Sequence, residues 1–350
     1  MKIVGFGVIG CGSIGLYHLK RLLEMESAKV VAACDVSSPA LERFGGEAGL
    51  PKTSLYGDYK ELLRRDDVDA VVVSLPNVLH STVTVEAFEA GKHVYCEKPM
   101  AVNLSEARRM VEAAERSGCK LLIGLQNRFR GAARALKPRV DGGELGEVYY
   151  ARCGWMRRSG IPGWGGWFTR RRDAGAGPIY DIGVHALDLT LWLMSNFEPE
   201  AAYASSYAKF GPERRGLGGW GSHEQEGVFD VEDLAVALLR MRNGASVSLE
   251  VSWASHIAKS NFYLNLLGDR AGLDFESATI YTTEGGEHVD RRVDFEEGDP
   301  YLSALTHFVE CILEDGEPLT GLGEMLGLQR ALDMILRSSR ENRVVSVGEV

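Results

Sequence analysis

The sequence predicts an α/β protein with an N-terminal Rossmann-type parallel sheet and a C-terminal α/β domain built on a large, mainly antiparallel sheet. Three observations predict it. Short apolar runs at 2–9 (KIVGFGVI), 29–34 (KVVAAC), 69–75 (DAVVVSL), 92–96 (KHVYC) and 120–125 (KLLIGL) alternate with helical patterns, as in a parallel sheet covered on both faces. A glycine-rich turn, Gly10-Cys11-Gly12-Ser13-Ile14-Gly15, joins the first run to the first helix. After about residue 125 the runs lengthen and begin to alternate, the sign of strands with one exposed face.

The elements follow in order. Ile14, Leu16, Leu19, Leu22 and Leu23 are spaced for one buried helix face, and Ser105–Arg116 reads as another helix. A helix through Ala132–Val140 ends at Asp141-Gly142-Gly143. Strands are expected at Ala201–Lys209, Asp233–Met241, Ala245–Trp253 and Asn261–Leu267, with Asn243-Gly244 as a hairpin turn. In Ala245–Trp253, Val247, Leu249, Val251 and Trp253 point one way, and Ser246, Ser248, Glu250 and Ser252 the other. Gly211–Gly227, rich in glycine and charge, is expected to be a mobile loop. One face of the second sheet needs a cover. A second subunit would supply it, so a homodimer or homotetramer through this sheet is expected.

At 350 residues the chain exceeds what one hydrophobic core usually serves, which gives two domains, 1–125 and 126–350. The formal net charge of −10 argues against a nucleic-acid partner. Arg157-Arg158 and Arg170–Arg172 read first as solvated charge and second as the rim of a hydroxyl-rich or anionic ligand site. Six scattered cysteines without a Cys-x-x-Cys pair suit reduced thiols in the cytoplasm. The apolar N-terminus reads as a strand and not a signal peptide, and no apolar run reaches the ~18 residues of a membrane span.

Three motifs carry chemistry. In the glycine turn, Gly10, Gly12 and Gly15 allow a tight bend and let a pyrophosphate approach backbone N–H groups at Ser13 and Ile14. Asp35 follows Gly15 by twenty residues, at the end of the next strand, where a carboxylate binds ribose hydroxyls and repels a 2′-phosphate. The pair points to NAD, with NADP use left open. Glu97-Lys98-Pro99 follows a strand, where an ammonium can favour a developing alkoxide; an exposed loop is the plain alternative. In Gly175–Asp188 a glycine-proline loop opens a helix reaching about Met194. Asp181 and His185 share one face of it, and Asp188 extends that face. A polar stripe on an apolar helix needs partners, either a ligand or internal hydrogen bonds. A metal site there would lack a paired His or Cys ligand, and none is expected.

Together these motifs, with Ser74-Leu75-Pro76-Asn77-Val78-Leu79-His80, resemble the glucose–fructose oxidoreductase, inositol dehydrogenase and MocA (Gfo/Idh/MocA) group over nearly the whole chain. The resemblance implies an oxidoreductase that moves hydride between NAD and a secondary alcohol of a sugar, polyol or inositol-like substrate. It implies that Lys98 contacts the reacting hydroxyl, that His185 accepts the proton and that Asp181 orients the substrate. Cofactor contacts are expected from Leu75, Pro76, Asn77, His80, Glu97, Lys98 and Gln126, besides the glycine turn and Asp35. Trp155, Trp167, Arg158 and Arg128 are candidate substrate contacts, with core packing or a subunit contact as the alternative for the tryptophan cluster. Some relatives on this scaffold cleave glycosides by transient oxidation, and a non-catalytic NAD sensor is the other rival. The intact Lys98, Asp181 and His185 set counts against the sensor.

Overall fold

The computed structural model describes residues 2–350, and the chain divides into two compact units. The first comprises the described residues up to 101 with 105–126 and 299–325, and the second 102–104, 127–298 and 326–350. The chain passes between the units at 102–104, after 126, at 299 and after 325. The segment from Asp299 returns to the first unit because its helix has an apolar face to bury there.

In the first unit the order is β1 (Val4–Ile9), α1 (Ser13–Leu23), β2 (Ala28–Cys34), α2 (Ser38–Ala48), β3 (Leu55–Tyr56), α3 (Tyr59–Leu63), β4 (Ala70–Val73), α4 (His80–Glu89), β5 (His93–Cys96), α5 (Leu104–Ser117) and β6 (Leu121–Ile123). Among the described residues the strands form one parallel sheet in the order β3-β2-β1-β4-β5-β6. The order reverses between β1 and β4, and ligands of open parallel sheets bind beyond the strand ends at that switch. Every residue of β1 and β4 is buried, as a sheet covered on both faces requires.

The second unit holds α6 (Gly131–Asp141), β7 (Val148–Met156), α7 (Arg171–Ala174), α8 (Val184–Leu193), β8 (Pro199–Tyr207), β9 (Leu234–Met241), β10 (Ser246–Ser252), β11 (Asn261–Gly268), β12 (Ala271–Asp274), β13 (Thr279–Glu284) and β14 (Glu287–Arg292). Later in the chain come α9 (Pro300–Glu314), α10 (Leu322–Glu341) and β15 (Val345–Ser346). The sheet runs β14-β13-β12-β11-β7-β10-β9-β8-β15 and is antiparallel except for the β7–β10 pair. The Asn243-Gly244 turn joins β9 to β10, with Gly244 at φ +93°. Val247, Leu249, Val251 and Trp253 are buried as the alternation predicts. All of α8 is buried, which its apolar composition demands, and it packs on β7, β11 and α6.

α9 belongs with α1. Asp299 caps α9 by accepting the N–H groups of Tyr301 and Leu302, while its other oxygen receives the Arg21 guanidinium at 2.9 and 2.7 Å. A cap of this kind contributes about 1 kcal/mol. Phe308 of α9 then packs against Phe6 and Tyr95, at ring separations of 6.3 and 6.0 Å.

The stretch Gly211–Gly227, expected to be mobile, is tied down. Gly160 and Ile161 donate to the Gly216 carbonyl, Gly163 to Trp220 and Gly218 to Ile161, and Glu224 donates to Trp164. Glycines on both sides allow the two backbones to approach. A Cβ on Gly227 would lie 2.2 Å from the Gly165 Cα.

Candidate active site

In the first unit the predicted residues gather at the carboxyl ends of neighbouring strands. The glycine turn follows β1. Gly10 sits at φ +100°, and a Cβ there would lie 2.2 Å from the Ser74 carbonyl. A Cβ on Gly15 would lie 2.0 Å from the Gly10 carbonyl, so helix and strand meet only if both positions are glycine. Gly12 differs: nothing lies within 4 Å of where its Cβ would be. Gly12 and Ser13 are exposed and Ile14 is half-buried. No side chain caps α1 and its first turn has no acidic residue. An open, uncapped helix N-terminus fits a dinucleotide pyrophosphate. Ser74, the first residue of the Ser74–His80 segment, holds the turn by donating to the Gly10 carbonyl at 2.8 Å.

Asp35 ends β2 and is bound to the same turn. Its Oδ2 accepts the Cys11 N–H at 2.7 Å and its Oδ1 the Ser37 N–H at 2.8 Å. An ionised carboxylate has about four lone-pair sites, so capacity for a ribose diol remains. The next residue, Val36, is 93% exposed, an apolar surface beside the carboxylate.

After β4, Leu75 and Pro76 are half-buried and Asn77 is buried. His80 corrects the expectation of a direct cofactor contact. It is wholly buried, with Nδ1 2.8 Å from the Pro99 carbonyl and Nε2 2.9 Å from the Leu75 carbonyl. Burial pushes its pKa down, against the two carbonyls. It braces the loop after β4 against the loop after β5. That second loop is Glu97-Lys98-Pro99, with a cis Lys98–Pro99 peptide. Lys98 is half-buried. Glu97 is buried and held by His18, whose Nε2 lies 2.7 Å from Oε1. Gln126, 9% exposed, donates to the Tyr301 hydroxyl at 2.8 Å, and its buried Oε1 has no partner. That orphaned acceptor suits a ligand carrying amide donors.

In the second unit the helix expected from the glycine-proline loop starts as a π-turn, Ile179–Gly183, before α8 begins at Val184. Such wide turns concentrate at functional sites, and sequence periodicity does not report them. Glu232 pins the entrance by accepting the N–H groups of Gly177 at 2.8 Å and Ile179 at 3.4 Å. Burial raises its pKa, opposed by those N–H groups. Asp181 lies in the π-turn, half-buried, and accepts the indole N–H of Trp253 at 2.8 Å. His185, 4% exposed, lies near Trp155, with ring centroids 6.2 Å apart. The Arg157 guanidinium sits over the Trp155 ring, 4.7 Å from its centroid. Trp253 belongs to the alternating strand pattern, and its buried indole N–H needs an acceptor, a signal already present in the sequence.

Other expected substrate contacts are engaged elsewhere. Arg128 is a correction: it is 0% exposed and grips Asp188 with two nitrogens, Nη2–Oδ1 at 2.6 Å and Nε–Oδ2 at 2.9 Å. The rings of Trp192 and Phe197 flank it. Asp188 therefore leaves the stripe of Asp181 and His185 for a structural ion pair. Arg158 is exposed, and its guanidinium donates to the Ala258 carbonyl. Trp167 stacks on Phe168 at 3.8 Å. Trp155 lies beside His185.

Both halves of the chain resemble known proteins. Residues 4–125 match the oxidoreductase family with an NAD-binding Rossmann fold, and residues 133–285 match the GFO/IDH/MocA C-terminal domain. D-glucoside 3-dehydrogenase of Escherichia coli K12 is 32% identical over 282 residues, 80% of this chain and 79% of that protein. 1,5-Anhydro-D-fructose reductase of Ensifer adhaerens is 30% identical over 322 residues, 89% of each. The crystal structure of aldose-aldose oxidoreductase from Caulobacter crescentus, complexed with glycerol, aligns at TM-score 0.82 and 27% identity, over 99% of this chain and 100% of that one. With both domains matched in order, the chain belongs to the GFO/IDH/MocA family of NAD-binding oxidoreductases.

Proposed function

We propose that the protein oxidises a secondary alcohol of a sugar, polyol or inositol-like compound, or reduces the matching ketone, with NAD preferred over NADP. When bound, NAD supplies the hydride acceptor. The uncapped first turn of α1 at Ser13 and Ile14 holds the phosphates. Asp35 accepts from the ribose hydroxyls, and its negative charge disfavours a 2′-phosphate. Gln126 and the Leu75–Asn77 loop complete the cofactor contacts. Lys98 places its ammonium on the reacting hydroxyl and stabilises the alkoxide as the proton leaves. His185 takes that proton, and Asp181, steadied by Trp253, orients the substrate. Trp155 offers an aromatic face to the C–H side of a sugar ring. The observation that carries the reading is the row of strand ends in the first unit, where the open Gly12 turn, Asp35 and Lys98 follow β1, β2 and β5. The relatives named for glucosides and anhydrofructose support the substrate class.

The exposed face of the second sheet supports self-association. Tyr203 pairs across strands with Leu238, and Tyr207 with Leu234; Tyr203, Leu238 and Tyr207 are 51, 52 and 46% exposed. A dimer or tetramer through this face would cover them. Six cysteines without a disulfide suit the cytoplasm.

The test is a cofactor-reduction assay with NAD or NADP and a panel of sugars, inositols and simple glycosides. Sustained formation of NADH with one compound is expected. A glycoside split without net NADH would turn the reading to cleavage by transient oxidation. NAD binding with no change in any compound would leave a sensor.

A further inference from the structure

The carboxylate before Lys98 is unusual in its partner. Glu97 is 6% exposed, and its acceptor Oε1 faces Nε2 of His18, a residue with no exposure at all. The other oxygen, Oε2, accepts the backbone N–H of Lys98 itself at 3.3 Å. Gly124 makes room for the carboxylate, since a Cβ there would lie 3.1 Å from Oε1. The His18 ring is clamped edge-on by Tyr95 and Tyr301, at 5.0 and 5.8 Å. Tyr301 is in turn held by Tyr17 at 4.7 Å and by Gln126. Burial works against the charge of Glu97. The hydrogen bond and charge of His18, with the charges of Lys98 and His80, outweigh it and hold the carboxyl below its usual range.

His18 stands on α1, the helix whose open first turn faces the proposed phosphate site. A rigid element of 11 residues thus connects that turn with the backbone of Lys98. Building on the function proposed above, we infer that His18 is a positioning residue. From α1 it grips Glu97, Glu97 fixes the start of the Lys98 turn, and the ammonium is held in register with a cofactor seated on the same helix. A pair serving stability alone would need no link to Lys98. Here one carboxylate oxygen is given to each task.

The test compares His18→Gln, His18→Asn and the double variant His18→Asn/Glu97→Gln. Gln can set its amide N–H near the place of Nε2, whereas the Asn amide falls short. Four quantities are read: the melting temperature, NAD affinity by calorimetry, turnover on the compound that reduces NAD in the panel, and the rate at which acetic anhydride labels Lys98, followed by mass spectrometry. His18→Gln should keep most of the turnover. His18→Asn should lose on the order of 100-fold in kcat, the effect of a misplaced catalytic group, while NAD affinity changes little. The double variant should regain melting temperature, because no buried carboxylate is left unpaired, without regaining kcat. Lys98 labelling should change several-fold in His18→Asn and return toward the parent rate in His18→Gln. This last readout needs no turnover, so it separates failure of the positioning role from failure of the proposed function. Equal behaviour of the Gln and Asn variants in labelling and kcat would overturn the inference. So would recovery of kcat alongside melting temperature in the double variant.

Discussion

The two units present their chemistry in different ways. In the first, the glycine turn, Asp35 and the Glu97-Lys98 step follow directly on the ends of β1, β2 and β5, and the parallel order of the strands lines these ends up. In the second, Asp181 and His185 rest on a π-turn and a buried helix, held by groups far away in sequence: Glu232 at the turn entrance and Trp253 at the end of β10. A contiguous motif suffices where the fold repeats a simple rule. Where the site depends on an irregular turn, its supports are scattered.

Substitutions can break or sharpen that contrast. The largest effect is expected at Lys98. Lys98→Ala should lower turnover by on the order of 1,000-fold while calorimetry still shows NAD binding. Near-normal turnover would remove Lys98 from its role. His185→Ala should follow at roughly 100-fold, the usual worth of a general base, with the first unit's NAD affinity untouched. Trp253→Phe tests the scattered supports. It deletes one hydrogen bond to a carboxylate, worth about 1.5 kcal/mol, so kcat should fall about tenfold with the melting temperature nearly kept. A kcat equal to the parent's would show that Asp181 needs no such anchor.

Asp35→Ala should weaken NAD by roughly tenfold, the loss of a charge-assisted hydrogen bond, and narrow its advantage over NADP. An unchanged NAD-to-NADP ratio would detach Asp35 from the ribose. The smallest effect concerns acid. Glu97 is held below its usual 4.5, so its contribution is full above that pH and is lost as pH falls through the lower folded value. In acid titration followed by circular dichroism, Glu97→Gln should flatten the first unit's loss of stability below pH 4.5. An acid limb as steep as the parent's would argue against that charge.

The parallel sheet, the glycine turn, Asp35 and the strand-end position of Lys98 were legible in the sequence because local pattern fixes them: apolar runs of strand length, each ending in a residue fit for a ligand. The alternation of β10 and the Asn243-Gly244 turn were legible for the same reason. Other features were not. The fully buried His80 and Arg128 look like any polar residue in a motif, and only three-dimensional packing shows their partners to be carbonyls and Asp188. The return of α9 to the first unit rests on contacts between residues from opposite ends of the chain, such as Phe6 with Phe308. The π-turn shifts Asp181 off the regular helical spacing, and no period in the sequence encodes that shift. His18 sat in plain view on α1, but its acceptor lies 79 residues away.

The most direct measurement of the central claim is a single turnover with a substrate deuterated at the carbinol carbon, run on the parent, Lys98→Ala and His185→Ala with NAD in excess. Deuterium is expected in the NADH formed, with a slower rate than with the protium compound, and transfer all but lost in both variants although each binds NAD. Label released to water, or transfer at the parent rate in either variant, would contradict the claim.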